Sequence, residues 1–505
     1  MPESTDVPQA VPGTGSGPLD VSVSRLQEAM TSGALTSAEL TAFYLERTAR
    51  IDPELHSVIT VNPQAAAEAR ASDEARAGGA PRSPLEGIPV LVKDNIGVAG
   101  MPTTAGSPAL LGGQGGDAFL VGRLREAGAV IIGKANLSEW ANFRSLHSVS
   151  GWSTLGGQTG NPHGTGRSPS GSSSGSAAAV AAGLAPLSIA TETDGSIICP
   201  SSACGVVGIK PTRGLISRSG CVPISSAQDS PGPMALSVTD AAELLSVLVA
   251  ADPADPASPG KDEISERYGV AGFASYADPA GLIGARIGVW RAGSAAAGRA
   301  TTAVLDQAVQ LLSAAGATVV DPVEVPQVDE IEELSFTALL HEFKHDLNGY
   351  LRVLPGSHPV TLAELIEFNE RNAASVLKYF GQDIFELAQA KSADPDDPEW
   401  AQSRQNATKL ARAAIDGPLA VQRLDAIVAL SLNPAHLTDM VLGDHNVFQT
   451  STPAAAAGYP SVSVPAGEVS GLPVGLSFIG TQWSEPKLIA LAYAFEQAVA
   501  GRGRG

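Results

Sequence analysis

The segment 168-SPSGSSSGSAAAVAAG-183 changes character halfway along. Its first half has the composition of a flexible linker and its second half that of a buried helix. A linker leads to an independent module, but this one runs straight into a helix start at Ala177. A turn rich in Ser and Gly at a helix N-terminus offers unbonded backbone N–H groups and the positive end of the helix dipole. A close-packed helix of this kind needs a large core around it. The composition provides one: of 505 residues, 44% are hydrophobic and only 17% charged, as in a globular chain.

Strand and helix patterns alternate along the chain without an internal repeat. Thr36 and Glu39 have the spacing of a capping box ahead of Leu40, Phe43, Tyr44 and Leu45, which predicts a helix from Thr36. The run 88-IPVLVKDN-95 predicts a short buried strand leaving into a loop. In 118-AFLVGRLREAGAVIIGKAN-136 a helix should end near Gly128, followed by a strand from Ala129 to Gly133. Further strands are predicted at 284-GARIGVW-290, 424-LDAIVAL-430, 460-PSVSVPA-466 and 473-PVGLSFIG-480. Ser484 should cap a last amphipathic helix carrying Leu488, Leu491, Phe495 and Val499. Together these predict an α/β fold, a single large domain with a mixed central β-sheet covered by helices. Residues 1–18, polar and rich in Pro and Gly, are expected to be a disordered tail. Residues 19–505 then form one domain, with a mainly helical insertion at about 328–417.

Several function classes are disfavoured. A net charge of −20 repels phosphate backbones, so nucleic acid is not an expected partner. Cys199, Cys204 and Cys221 form neither a disulfide framework nor a CxxC pair, and are expected to be small core thiols. The apolar run 176-SAAAVAAGLAPLSIA-190 is too short to span a bilayer and contains Gly183 and Pro186. No targeting signal is visible, so a cytoplasmic protein with no membrane partner, a monomer or homodimer, is the expectation.

Lys93 follows the apolar run 88–92, where a charge must be paired, snorkelling or functional. Downstream of the Ser/Gly loop, 189-IATETDGSIICPSSACGVVGIKPTRG-214 brings a strand-like start to Asp194-Gly195-Ser196. These residues resemble the amidase signature family. The loop Ser170-Gly171-Ser172-Ser173-Ser174-Gly175-Ser176 matches its Gly-Gly-Ser-Ser-Gly-Gly-Ser pattern, and Thr191-Glu192-Thr193-Asp194-Gly195-Ser196 its second turn. Lys93 in 89-PVLVKDN-95 and Gly208-Ile209-Lys210-Pro211-Thr212 match further motifs in the same order, and the likeness extends from about Val21 to the last helix. Three departures stand out: serines replace glycines at Ser170 and Ser174, Asp194 replaces a glycine, and Ile198 replaces an arginine after the nucleophile. The combination of TETDGSI, 136-NLSEWANF-143 and 226-SAQDSPGPM-234 is most similar to the bacterial peptide amidase branch, which hydrolyses C-terminal amides of peptides.

The resemblance implies a serine amidohydrolase working through a Ser–Ser–Lys triad, an acyl-enzyme and no cofactor or metal, with a small-molecule or peptide amide as substrate. An amide carbonyl is a poor electrophile, so the hydroxyl must be activated by a base and the oxyanion stabilised. Ser196 is the implied nucleophile. Ser172, after a cis peptide bond at Gly171, is the implied bridge to Lys93, which must be neutral to act as base. Backbone atoms of Thr193, Asp194, Gly195 and Ser196 would form the oxyanion hole. Ser173 has two readings, a hydrogen bond to Lys93 or a helix cap. Two other readings compete: a general aliphatic or aryl amidase, and an amidotransferase subunit feeding ammonia to a partner that acts on aminoacyl-tRNA. A third rests on 341-HEFKH-345, whose His341 and His345 have zinc-ligand spacing, with Glu364 or Glu367 as a further ligand. The loop around Trp140 and Trp152 and the block 328–417 are candidate walls for the acyl side.

Overall fold

The computed structural model describes residues 21–502 apart from 80, 270 and 271; the tail predicted over 1–18 lies outside the described residues. The strands are, in chain order, β1 (Val58–Val61), β2 (Pro89–Lys93), β3 (Val130–Ala135), β4 (Trp152–Ser153), β5 (Gly157–Gln158), β6 (Leu187–Glu192) and β7 (Val207–Lys210). They continue as β8 (Ser230–Ala235), β9 (Arg286–Val289), β10 (Thr318–Val320), β11 (Ala426–Leu430), β12 (Ser461–Val469) and β13 (Leu472–Ile479). Eleven of them form one mixed sheet in the order β1-β3-β2-β6-β8-β7-β12-β13-β11-β9-β10, and β4 pairs with β5 apart from it. Around β2 the pairing is parallel, with β3 on one side and β6 on the other. Strands β2, β3, β6 and β11 are buried at every position, because helices cover both faces.

Local signals account for most boundaries. Thr36 and Glu39 form the capping box at the start of helix Ser37–Leu55. Helix Phe119–Glu126 ends ahead of Gly128, whose φ is +80°, and β3 runs two residues past Gly133 because Lys134 and Ala135 continue the pairing with β2. The last helix, Glu485–Arg502, starts directly after Ser484, although the Ser484 hydroxyl donates back to the Thr481 carbonyl. Strand β8 was hidden by Pro231 and Pro233, residues that cannot donate to a ladder. They are tolerated mid-sheet because β7 pairs only with Met234 and Ala235, beyond both prolines. Residues 328–422 are largely helical, in Val328–Val353, Leu362–Arg371, Asp383–Ala390 and Pro398–Gln422; the first three share an apolar cluster around Phe343, Leu347 and Phe385, and the fourth packs in a second one through Ala411, Ala414 and Ile415.

The opening segment becomes helix Ser174–Ala181, buried through Val180 and packed on β2, β3, β6 and β8. Its lack of large side chains is a packing requirement. A Cβ on Gly175 would stand 2.4 Å from the carbonyl oxygens of both Asn136 and Ser57. Gly175→Ala is therefore expected to destabilise the protein by about 1–3 kcal/mol or more, as overpacking against backbone does. Exposed Gly349 lies inside helix Val328–Val353, where an added Cβ would meet nothing within 4 Å. Gly349→Ala should instead raise stability by about 0.4–1 kcal/mol, and thermal denaturation of the two variants side by side checks both signs.

Candidate active site

Parallel β2 and β6 end side by side, and the crevice beyond the carboxyl ends of such strands is where α/β sheets place ligands. Lys93, the last residue of β2, is fully buried there. Its Nζ donates to Ser172 Oγ at 2.9 Å, Ser173 Oγ at 2.9 Å, Thr191 Oγ1 at 3.0 Å and the Thr191 carbonyl at 3.1 Å. Loss of water pushes its pKa down to about 7, and the more distant Asp229 and Glu192 carboxylates only partly resist this. An amine near neutrality, bonded to a hydroxyl, can exchange a proton with it.

The Ser/Gly loop supplies that hydroxyl. The Gly171–Ser172 peptide bond is cis. A Cβ on Gly171 would lie 2.4 Å from Ser138 Oγ and 2.8 Å from Ser150 Oγ, so a side chain there would have to displace both hydroxyls. Ser173 occupies the N-cap position, but its hydroxyl makes no capping bond; it accepts from Lys93 and donates to the Thr191 carbonyl at 3.1 Å. Its N–H also donates to the Ser196 carbonyl at 3.3 Å, which ties the two loops together. Ser174, in place of a glycine, closes the loop on itself by donating to the Ser170 carbonyl at 2.6 Å.

The second turn leaves β6 at buried Glu192, whose Oε2 accepts the N–H groups of Ile197 at 2.7 Å and Ile198 at 3.0 Å. This caps helix Ile198–Cys204 and fixes the turn before it. Gly195 holds φ at +75°, where a side chain is strained. Among the described residues, none accepts a hydrogen bond from the N–H groups of Asp194, Gly195 or Ser196. The Asp194 carboxylate points away from that backbone, accepting from Ser451 Oγ at 2.6 Å and Thr452 Oγ1 at 2.8 Å, and burial raises its pKa to about 7. Ser196 lines a cavity of about 590 Å³ together with Gly171, Asp194, Phe143, Phe336 and Glu332. The loop around Trp140 and Trp152 lines it through Ala141, Asn142, Phe143, Leu146 and Ser150, while the two tryptophans themselves are buried against Phe385 and Phe380. Helix Val328–Val353 does, through Ser335, Phe336 and Leu339.

The sequence reading missed three supports of this site. Asp229 accepts the Thr193 hydroxyl at 2.5 Å. Gln228 donates to the Thr193 carbonyl at 2.8 Å and accepts from Arg404 at 2.9 Å and Ser335 at 3.0 Å. Glu342 pairs with Arg404 at 2.6 Å and accepts from Ser225 and the Trp400 ring N–H. The last is the glutamate of the HEFKH stretch, so that stretch fastens its helix to the site. Both ring nitrogens of His341 are engaged, with the Ser392 carbonyl at 2.8 Å and Glu399 at 3.0 Å. The carboxylates grouped with His341 are Asp397 and Glu399, and Lys391 already neutralises Glu399 at 2.9 Å. His345 donates to the Ala393 carbonyl, Glu364 accepts from the Val360 N–H at 2.9 Å, and Glu367 pairs with Arg371 at 3.6 Å. Cys199 and Cys204 are buried free thiols and Cys221 is partly exposed, with burial pushing the Cys221 thiol up to about 12. No helix among the described residues is long and apolar enough to cross a membrane.

Comparison with known proteins places the chain in a family. A family model described as Amidase matches residues 39–489. A probable amidase from Arabidopsis thaliana is 41% identical over 492 residues, covering 95% of this chain and 90% of its own. A glutamyl-tRNA(Gln) amidotransferase subunit from Symbiobacterium thermophilum is 33% identical, covering 94% and 96%. Among solved structures, native peptide amidase from Stenotrophomonas maltophilia superimposes with a TM-score of 0.90 at 47% identity, covering 95% of this chain and 97% of its own. A complex of peptide amidase with the competitive inhibitor chymostatin gives a TM-score of 0.91 at 47% identity, covering 96% and 98%. The chain belongs to the amidase signature family, as a hydrolase of amide bonds built on that family's fold.

Proposed function

We propose that Lys93, Ser172 and Ser196 form one proton relay that hydrolyses a carboxamide through an acyl-enzyme. The observation that carries this is the buried Lys93 amine bonded to Ser172, in a loop that Ser173 ties to the turn carrying Ser196. Ser196 Oγ attacks the carbonyl carbon while its proton passes to Ser172, whose own proton passes to Lys93 Nζ. The N–H groups of Thr193, Asp194, Gly195 and Ser196, with no acceptor among the described residues, receive the oxyanion. The C–N bond then breaks, Ser172 gives the departing nitrogen a proton, and Lys93 restores it. A water molecule, activated by the same relay in reverse, attacks the acyl-enzyme and frees the acid and Ser196.

The substrate we assign is the C-terminal amide of peptides, or an amino-acid amide. The motifs TETDGSI and SAQDSPGPM and the 47% identity to a peptide amidase support it. The apolar wall of Phe143, Ile224, Phe336 and Leu339 suits the side chains of such an acyl group. The amidotransferase reading has a 33% identical relative behind it, and its signature is turnover of glutamine.

Ser196→Ala should fold normally yet lose on the order of 10⁴–10⁶ in kcat, because members of such a relay act as a unit. Retention of more than about a tenth of the turnover would remove Ser196 from the role, and intact-mass trapping of an acyl group on Ser196 reads the same point directly.

Below about pH 7 Lys93 holds its proton and cannot accept another. The kcat/KM profile should therefore rise with pH through an ionisation near 7 and then level off. Asp194 and Asp229 titrate at about 7 and about 6, so the variant Lys93→Arg assigns the step. A guanidinium stays charged at working pH, and near-normal activity in that variant would exclude Lys93 as base.

Incubation with a peptide amide, its free acid, an aryl amide and glutamine separates the substrate classes. The expected result is ammonia from the peptide amide with no internal cleavage. Exclusive turnover of glutamine or of simple aliphatic amides would overturn the peptide assignment while leaving the relay intact.

A further inference from the structure

Beside the main cleft lies a much smaller cavity of about 20 Å³, lined by Asn95, Ser172, Cys221, Val222 and Asp229 among others. Ala141, Thr193 and Ile224 line both spaces, so the two adjoin across these side chains. Their division matters: Ser196 lines the large cavity and Ser172 the small one. A space of this size takes one water-sized group and nothing larger.

Most polar atoms around it are already engaged. The Asp229 carboxylate receives the Thr193 hydroxyl at 2.5 Å and the N–H groups of Ile224 at 2.9 Å and Ser225 at 3.0 Å. Asn95 Nδ2 donates to Thr191 Oγ1 at 2.9 Å. The exception is Asn95 Oδ1, which has no donor among the described residues although Asn95 is only 5% exposed. A buried amide oxygen left in this state is costly unless a ligand brings the donor.

We propose that this cavity is the leaving-group subsite, taking a single –NH₂ group and rejecting any substituted amide nitrogen, with Asn95 Oδ1 as its acceptor. The inference rests on the relay proposed above. With the carbonyl carbon at Ser196, the scissile nitrogen must reach Ser172 for protonation, and the small cavity is the space that Ser172 lines. As the C–N bond breaks, the nitrogen keeps the electron pair, takes the Ser172 hydroxyl proton and leaves as ammonia; Ser172 regains its proton from Lys93. Asn95 Oδ1 accepts one N–H of the –NH₂ group throughout. An N-methyl group, or the next Cα of a continuing chain, would need a volume that Val222, Ile224 and Cys221 occupy. The substrate class is thus primary carboxamides, selected at the nitrogen and not at the acyl chain.

The experiment compares kcat/KM for a peptide amide with that for the same peptide N-methylamide. The wild-type enzyme should favour the primary amide by at least about 100-fold, and Ile224→Ala or Val222→Ala should narrow that ratio by about tenfold. Asn95→Ala should lose activity on the primary amide while its ratio narrows, whereas a merely structural Asn95 would lower both substrates in parallel. If these variants do not fold, exchange in the wild type decides. Labelled ammonia should enter the unreacted peptide amide, and methylamine should give no N-methylamide. Wild-type turnover of both substrates within tenfold, formation of the N-methylamide, or ratios unchanged in every folded variant would overturn the subsite. No turnover of any primary amide would instead overturn the relay itself.

Discussion

Lys93 is enclosed by three oxygens of hydroxyl groups and one backbone carbonyl, with no carboxylate among the described residues bonded to it. An ammonium in such a place loses its hydration and gains only partial charges in return, which is why burial brings its pKa to about 7. A direct ion pair would have held the proton in place. The carboxylates that act on it, Asp229 and Glu192, do so at a distance, and each is committed to backbone N–H groups elsewhere in the site. The rest of the site follows from keeping this one amine dry but bonded.

Dryness comes from the sheet. Parallel pairing on both sides of β2 brings the ends of β2 and β6 into line, so that Lys93 meets Thr191 across one strand gap. The helix Ser174–Ala181 then has to lie directly on the strands, an approach that its glycine, serines and alanines allow and that is tightest at Gly175. The small residues of 168–183 are thus the means by which a lysine at a strand end is brought against two serine hydroxyls.

The helical layer has a different task. Glu342, Arg404, Gln228 and Ser335 form a chain of hydrogen bonds from helix Val328–Val353 to the Thr193 carbonyl. Removing either member of this charge pair would leave the other buried without a partner, which is strongly destabilising. The same helix therefore supplies a cleft wall through Phe336 and Leu339 and holds the loop that presents Ser196.

The sequence by itself determined the α/β class, the capping box at Thr36, the strands at β2, β9, β11, β12 and β13, and the loops carrying Lys93, Ser172 and Ser196. Those signals are local: apolar runs, cap spacings and motifs whose residues are neighbours in the chain. It did not reveal β8, since Pro231 and Pro233 are acceptable only where β7 stops pairing, and that is a property of the sheet. Nor could it decide whether the Ser173 hydroxyl bonds Lys93, or what the side chains of HEFKH bond, because the deciding partners Thr191, Arg404 and Glu399 are distant in sequence. The small cavity at Asn95 belongs to the same class. Residue types announce which groups can donate, accept or carry charge, but which of them are satisfied, and how much space is left beside them, is fixed only when remote segments pack together.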